Sequence, residues 1–373
     1  MERIQTTRLT KTQLLSMITL YEIGSTTLFA MGIGAKQDAW VVVLLAMLVG
    51  FLLLWVYTDI ARRMPGAGWE EILDSVLGKW LAAPLIFFYA CYFFYDACLN
   101  FFEFGEIIHL HLLSNTPTLV INSVFAVTVM YMLALGLAVL ARTSELLMPI
   151  FLVFLLFTLF FAVISRHFEV SQLLPVLSDG MAPVLKEVPT TVTFPFGETA
   201  VFLFYWKYAE RNQIRSTAFR SVGFAGLLIT AMQIVIITVL GPGLAANATL
   251  PLMEVVLSIN IGEILTNLDV LLVVMIFIGG LFKMSINYFA VVLALSYLFR
   301  ATNRVVIVII TGIGILWYSM AHLETLPRQR WIAGKELIWQ MDHYIYQLIP
   351  LLVWILLVLN KKRMAGREAE GAS

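Results

Sequence analysis

Charge is what this chain has least of: Asp, Glu, Lys and Arg make up 13% of its 373 residues, against 60% apolar. The two signs balance at 24 each, so no global field draws nucleic acid or an acidic substrate, and a nucleic-acid partner is not expected. The few charges cluster between long uncharged stretches, a pattern of repeated membrane spans that leaves no soluble domain of useful size. Cysteine is equally sparse. Cys91 and Cys98 lie in one apolar segment, too far apart along a helix axis to bridge and too few for a metal cluster, and read as packing residues. His109, His111, His322 and His343 fall at span ends and His167 in a loop, without the spacing of a metal site. No H-E-x-x-H, G-x-S-x-G, nucleotide loop or Ser-His-Asp order is present, so neither an enzyme nor a cofactor is expected. The polar first twelve residues precede the first of many apolar segments, which favours a retained span over a cleaved signal peptide.

What is abundant is hydrophobic length. A bilayer core of roughly 30 Å takes about 20 apolar residues per helix. That ruler predicts ten spans, near 12–35, 39–61, 80–112, 118–140, 145–165, 183–208, 217–240, 266–299, 304–321 and 342–360. Residues Trp69 to Lys79 and Arg330 to Gln340 read as short amphipathic helices at the surface. With the N-terminus inside, seventeen Lys and Arg fall on the cytoplasmic side, six on the other, and Lys283 within the eighth span. Positive loops stay in the cytoplasm, so both termini are expected there, which an even number of spans satisfies. The expected fold class is an all-α integral membrane protein: one permease-like domain over 1–373, with a first repeat near 12–165 and a second near 183–360.

Two spans carry irregularities. In the first, Glu22-Ile23-Gly24-Ser25-Thr26-Thr27 interrupts the apolar run near mid-depth; in the sixth, Thr193-Phe194-Pro195-Phe196-Gly197-Glu198 does so more strongly. Pro195 lacks an N–H and obstructs a helix, and Gly197 tolerates angles that other residues avoid, so unwound backbone is expected there. Such backbone within a membrane must face protein or a water-filled cavity. Simple kinks repaired by neighbouring hydroxyls are the alternative. Spans one and six open the two halves of a five-plus-five division, where inverted-repeat transporters of the LeuT type break their helices. Span three places Tyr92, Asp96, Asn100 and Glu103 on one helical face, with Glu106 nearby. Lys283, deep in span eight after Gly279-Gly280, needs a counter-charge, and Asp96, Glu22 and Glu198 are the candidates.

At these residues the chain resembles the B-subunit permeases of endospore germinant receptors, a branch of the amino acid/polyamine/organocation transporter superfamily. The resemblance rests on the break at Gly24, Lys36-Gln37-Asp38-Ala39-Trp40, Pro65 with Leu77-Gly78-Lys79-Trp80, Leu174-Pro175-Val176-Leu177-Ser178-Asp179-Gly180, and Phe194 to Glu198. It covers nearly the whole chain. It departs at Gly24-Ser25-Thr26, where the superfamily prefers Gly-x-Gly, and at Met31-Gly32, near where relatives often carry proline. The resemblance implies a LeuT-like bundle with broken helices one and six, in a spore inner membrane or bacterial cytoplasmic membrane, beside receptor A and C subunits. It also implies a small ligand, often an amino acid, bound at Gly24, Ser25, Thr26, Thr27, Tyr92, Asp96, Phe194, Pro195, Phe196, Gly197 and Glu198. Lys283, with Asp96 and Glu22, would stand where related transporters bind a coupling cation. A secondary amino-acid transporter and a nutrient-gated channel remain the other readings of the residues.

Overall fold

The computed structural model describes residues 8–26, 29–259, 268–323, 325 and 340–370. Helix α1 (Lys11–Gly24) starts at a capping box, in which Thr10 Oγ1 accepts from the Gln13 N–H and Gln13 Oε1 accepts from the Thr10 N–H, both at 3.2 Å. A 3₁₀ segment (Ile33–Asp38) leads into α2 (Ala39–Arg63), whose last turn carries Arg62 and Arg63 beside its unpaired carbonyls. The surface helix α3 (Trp69–Leu77) passes into α4 (Lys79–His111) through Gly78, which takes φ 76°. Then come α5 (Thr118–Ala134) and α6 (Leu137–Ile164), α7 (Ala182–Thr193) with 3₁₀ turns over Phe196–Phe204, and α8 (Arg211–Asn247). Helices α9 (Pro251–Ser258), α10 (Leu268–Leu298), α11 (Arg304–His322) and α12 (Ile349–Glu370), the last entered through a π turn at His343–Leu348, complete the described chain.

The described helices fall close to the ten expected spans. Seven are helices long and apolar enough to cross by themselves. The other three are the interrupted first and sixth and the short α5. One boundary is corrected. The break between spans four and five was expected at residues 141–144, whereas the chain turns at Gly136, whose φ of 98° ends α5 early and lets α6 start at Leu137. Arg142 and Glu145 therefore belong to α6, and Thr12 Oγ1 donates to Glu145 Oε1 at 2.5 Å. The expected amphipathic helix at 330–340 lies, apart from Gln340, outside the described residues.

Helix α10 is the axis of the bundle. It packs most extensively on α4 and also meets α1, α6 and α11. Of its most apolar window 89% is buried, against 22% for α6, whose outward Leu146, Val153 and Phe160 suit a lipid-facing position. Contact with α1 is backbone to backbone: a Cβ on Gly24 would lie 2.5 Å from the Gly279 carbonyl oxygen. Two of the quoted sequence motifs, far apart in the chain, dock on each other. Lys36 Nζ meets Asp179 Oδ2 at 2.8 Å, Gln37 Nε2 donates to Ser178 Oγ at 2.8 Å, and Asp38 Oδ1 accepts from the Leu177 N–H at 2.9 Å. That hydrogen bond and the opposed charges hold the Asp179 carboxyl below its usual range and the Lys36 ammonium above its own.

Candidate functional site

Both interrupted helices lose regularity where the sequence leads one to expect it. Helix α1 ends at Gly24, and Thr26 Oγ1 turns back to donate to the Ile23 carbonyl at 2.8 Å. Helix α7 stops at Thr193, Phe194 is extended (φ −122°, ψ 118°), and tight 3₁₀ turns follow. Between the breaks lies a cavity of about 370 Å³, walled by α1, α4, α7, α10 and the segment that begins α12's crossing.

Lys283 is fixed at this junction. Its Nζ donates to Ser25 Oγ at 2.7 Å and to Glu198 Oε2, so one ammonium ties the break in the first helix to the break in the sixth. The face of Phe194 lies 4.4 Å from Nζ and that of Tyr21 5.2 Å, which adds cation–π attraction. Lys283 is 1% exposed and Glu198 6%, depths at which each charge needs the other. A second chain of hydrogen bonds runs alongside. Tyr21 Oη donates to Asn287 Oδ1 at 3.0 Å, and Asn287 Nδ2 donates to Asp96 Oδ2. Tyr92 Oη, one turn before Asp96, donates to Asp342 Oδ1.

Of the residues expected to bind ligand, Ser25, Tyr92, Asp96, Phe194 and Glu198 line the cavity together with Lys283. The others are placed elsewhere. Gly24 serves close packing on Gly279, and Thr26 caps its own helix. Phe196 points away, between α2 and α8, where it leaves no room for side chains at Gly50 and little at Gly226. Neither Pro195 nor Gly197 lines the cavity. Gly197 has no left-handed backbone, and a Cβ there would meet the Val192 carbonyl oxygen at 3.2 Å. Thr27 lies outside the described residues. Of the three candidate counter-charges, Glu198 makes the ion pair with Lys283, and neither Asp96 nor Glu22 forms a direct one among the described residues. Both carboxylate oxygens of Glu22, fully buried, have no hydrogen-bond partner among the described residues.

Asp342, Glu187, Tyr95 and Phe29 line the site without having been foreseen. Asn287 had a readable signal, since it follows Lys283 by four residues and so shares its helical face. Asp342 had none beyond its place at the start of an apolar run. Away from the opening, the cavity is floored by aromatic rings that reach the surface helix α3. Tyr92 and Tyr346 lie 5.4 Å apart, Phe93 and Phe204 5.7 Å, Phe204 and Tyr89 6.0 Å, and Tyr89 and Trp69 6.0 Å. Beside Trp69, Glu70 is paired with Lys207, at the end of the 3₁₀ turns that began at Phe196.

Comparison with known proteins agrees with this geometry. The model of the spore germination protein family, a family of permeases, matches residues 8–325. The chain belongs to that family. It is 31% identical to spore germination protein KB of Bacillus subtilis (strain 168) over 368 residues, 98% of each chain. Among solved structures it is similar to MhsT in complex with L-phenylalanine, with TM-score 0.65 and 13% identity over 95% of this chain and 89% of that one. It is also similar to Mhp1, a nucleobase-cation-symport-1 family transporter in a closed conformation with bromovinylhydantoin bound, with TM-score 0.67 and 13% identity over 94% and 78%. At that identity the likeness establishes the fold alone, which is LeuT-like. The spore germination permease is thus an integral membrane protein of transporter architecture.

Proposed function

We propose that this spore germination permease is the ligand-recognising membrane subunit of a germinant receptor: it binds a small solute, such as an amino acid, in the central cavity and signals through partner subunits. The observation that carries this reading is Lys283, whose ammonium joins Ser25 of the first break to Glu198 of the sixth on the cavity wall. A solute arriving there meets both half-helices at once, so its binding is able to bias their relative position. A tethered cation at this junction takes the place of a mobile coupling ion, and binding without ion coupling describes a sensor better than an accumulator. The likeness to spore germination protein KB supports a role in spore germination, and receptor A and C subunits are the partners we propose. The aromatic column from Tyr92 to Trp69 supplies packed contact from the cavity to α3, a surface element on which partners could read the change. The cytoplasmic excess of Lys and Arg turns the cavity outward and α3 inward.

Equilibrium binding to the purified chain in lipid nanodiscs tests the proposal. Saturable binding of at least one member of an amino-acid panel is expected, lost in a Ser25→Trp variant that fills the cavity wall but still elutes as a folded monodisperse protein. No saturable binding by any member, or binding unchanged in Ser25→Trp, contradicts it. An Arg211→Cys variant labelled from outside intact cells would reverse the orientation.

A further inference from the structure

The cavity wall is far more acidic than basic. Asp96, Glu103, Glu187, Glu198 and Asp342 line it, and Lys283 is the one basic side chain among its described lining residues. Lys283 is engaged directly by Glu198 and Ser25, so a single positive charge stands against five carboxyls on this wall. Asp96 and Asp342 line the same cavity from different helices, and Tyr92 connects them: it precedes Asp96 by one helical turn and donates to Asp342 Oδ1. Each of these carboxyls accepts few bonds among the described residues. Asp96 takes Asn287 Nδ2 and a long 3.4 Å contact from Asn100, and Asp342 takes Tyr92. A carboxylate has about four acceptor positions, so capacity remains on both for an N–H donor.

Independently of the carboxyls, the aromatic lining is arranged for positive charge. Phe194 already presents its face to an ammonium, that of Lys283, at 4.4 Å. Phe29, Tyr92 and Tyr95 add further rings to the same wall. Ring faces attract cations and repel anions. A volume of about 370 Å³ lies within the range of small-molecule sites and is far more than a bare metal ion needs.

We infer that the cavity selects organic cations: the ligand's ammonium sits between Asp96 and Asp342, and a carboxylate on the ligand is dispensable. This rests on the reading that the central cavity is the ligand site, and it narrows that reading from small solutes in general to amines. A negatively charged solute would be placed among like charges in a region of low dielectric, which opposes binding strongly.

Matched probes separate the two ideas. For the side chains of alanine, leucine and phenylalanine, binding to the full chain in nanodiscs is measured for the amino acid, the amine left by removing its carboxyl, and the acid left by removing its amino group. In whichever series binds, the amine is expected within about threefold of the amino acid or tighter, and the acid at least about a hundredfold weaker. Asp96→Asn and Asp342→Asn are each expected to weaken the amine about tenfold or more without lowering the unfolding temperature below that of the free wild type. An acid that binds as well as its amine, with the amino acid still bound, overturns the inference and leaves the cavity as the ligand site. Failure of all nine compounds removes both.

Discussion

At the scale of single residues the protein's chemistry centres on one buried ion pair. Lys283 and Glu198 are each almost fully buried at the cavity wall, and removing one partner leaves the other charge uncompensated. Breaking such a pair typically costs about 3–5 kcal/mol, while replacing both members by neutral groups costs far less. Lys283→Met and Glu198→Gln are therefore each expected to lower the unfolding temperature strongly, and the double variant to recover much of the loss. Thermal unfolding of the four proteins measures this; single losses that simply add in the double variant would show that the two groups are not coupled. That Lys283 needs a carboxylate was legible in the sequence, because a lysine deep in an apolar span cannot reach water. Which of Glu22, Asp96 and Glu198 supplies it was not legible, because that depends on how three helices are rotated about their axes. Asp342 stayed hidden for the same reason: its partner Tyr92 belongs to another helix, and no spacing within one helix announces such a pair.

Helices and their junctions show where glycine matters. Gly24 and Gly279 let α1 and α10 touch through their backbones; a Cβ on Gly279 would lie 2.6 Å from Gly24 Cα. Adding a methyl to a filled interface costs about 1–3 kcal/mol. Gly24→Ala and Gly279→Ala should thus each destabilise the protein, whereas Gly197→Ala, which meets its first neighbour at 3.2 Å, should cost less than either. Comparing the unfolding temperatures of the three variants decides it, and a neutral Gly24→Ala would show that the interface yields. The sequence marks Gly24 as special and suggests helix breaking; close packing is invisible there because Gly279 lies in another span. The break after Thr193 was legible, since Pro195 forbids a continuous helix by its own chemistry. The turn at Gly136 was not, because the polar residues Arg142 to Glu145 imitate a loop while helix α6 absorbs them. The docking of Lys36, Gln37 and Asp38 onto residues 175–179 explains why both segments carry polar side chains next to spans.

Across the whole molecule, a LeuT-like transporter frame encloses a cavity at the two breaks, with a lysine fixed where the half-helices meet. The places of the helices and the broken pair were readable from hydrophobic length and from Pro195. The acidity of the cavity was not, because its carboxyls come from several spans that only the folded bundle brings together. The central claim is that such a frame senses its ligand without accumulating it. Uphill movement needs an ion that binds and leaves, and a side-chain ammonium cannot dissipate a gradient unless it gives up and regains its proton. The direct measurement is uptake of a labelled ligand, one shown to bind in nanodiscs, by liposomes containing the protein, under imposed proton and sodium gradients and without them. The account predicts saturable binding and no internal concentration above the external one in any condition. Gradient-driven accumulation that collapses with the proton gradient would contradict it and would make the protein a proton-coupled transporter.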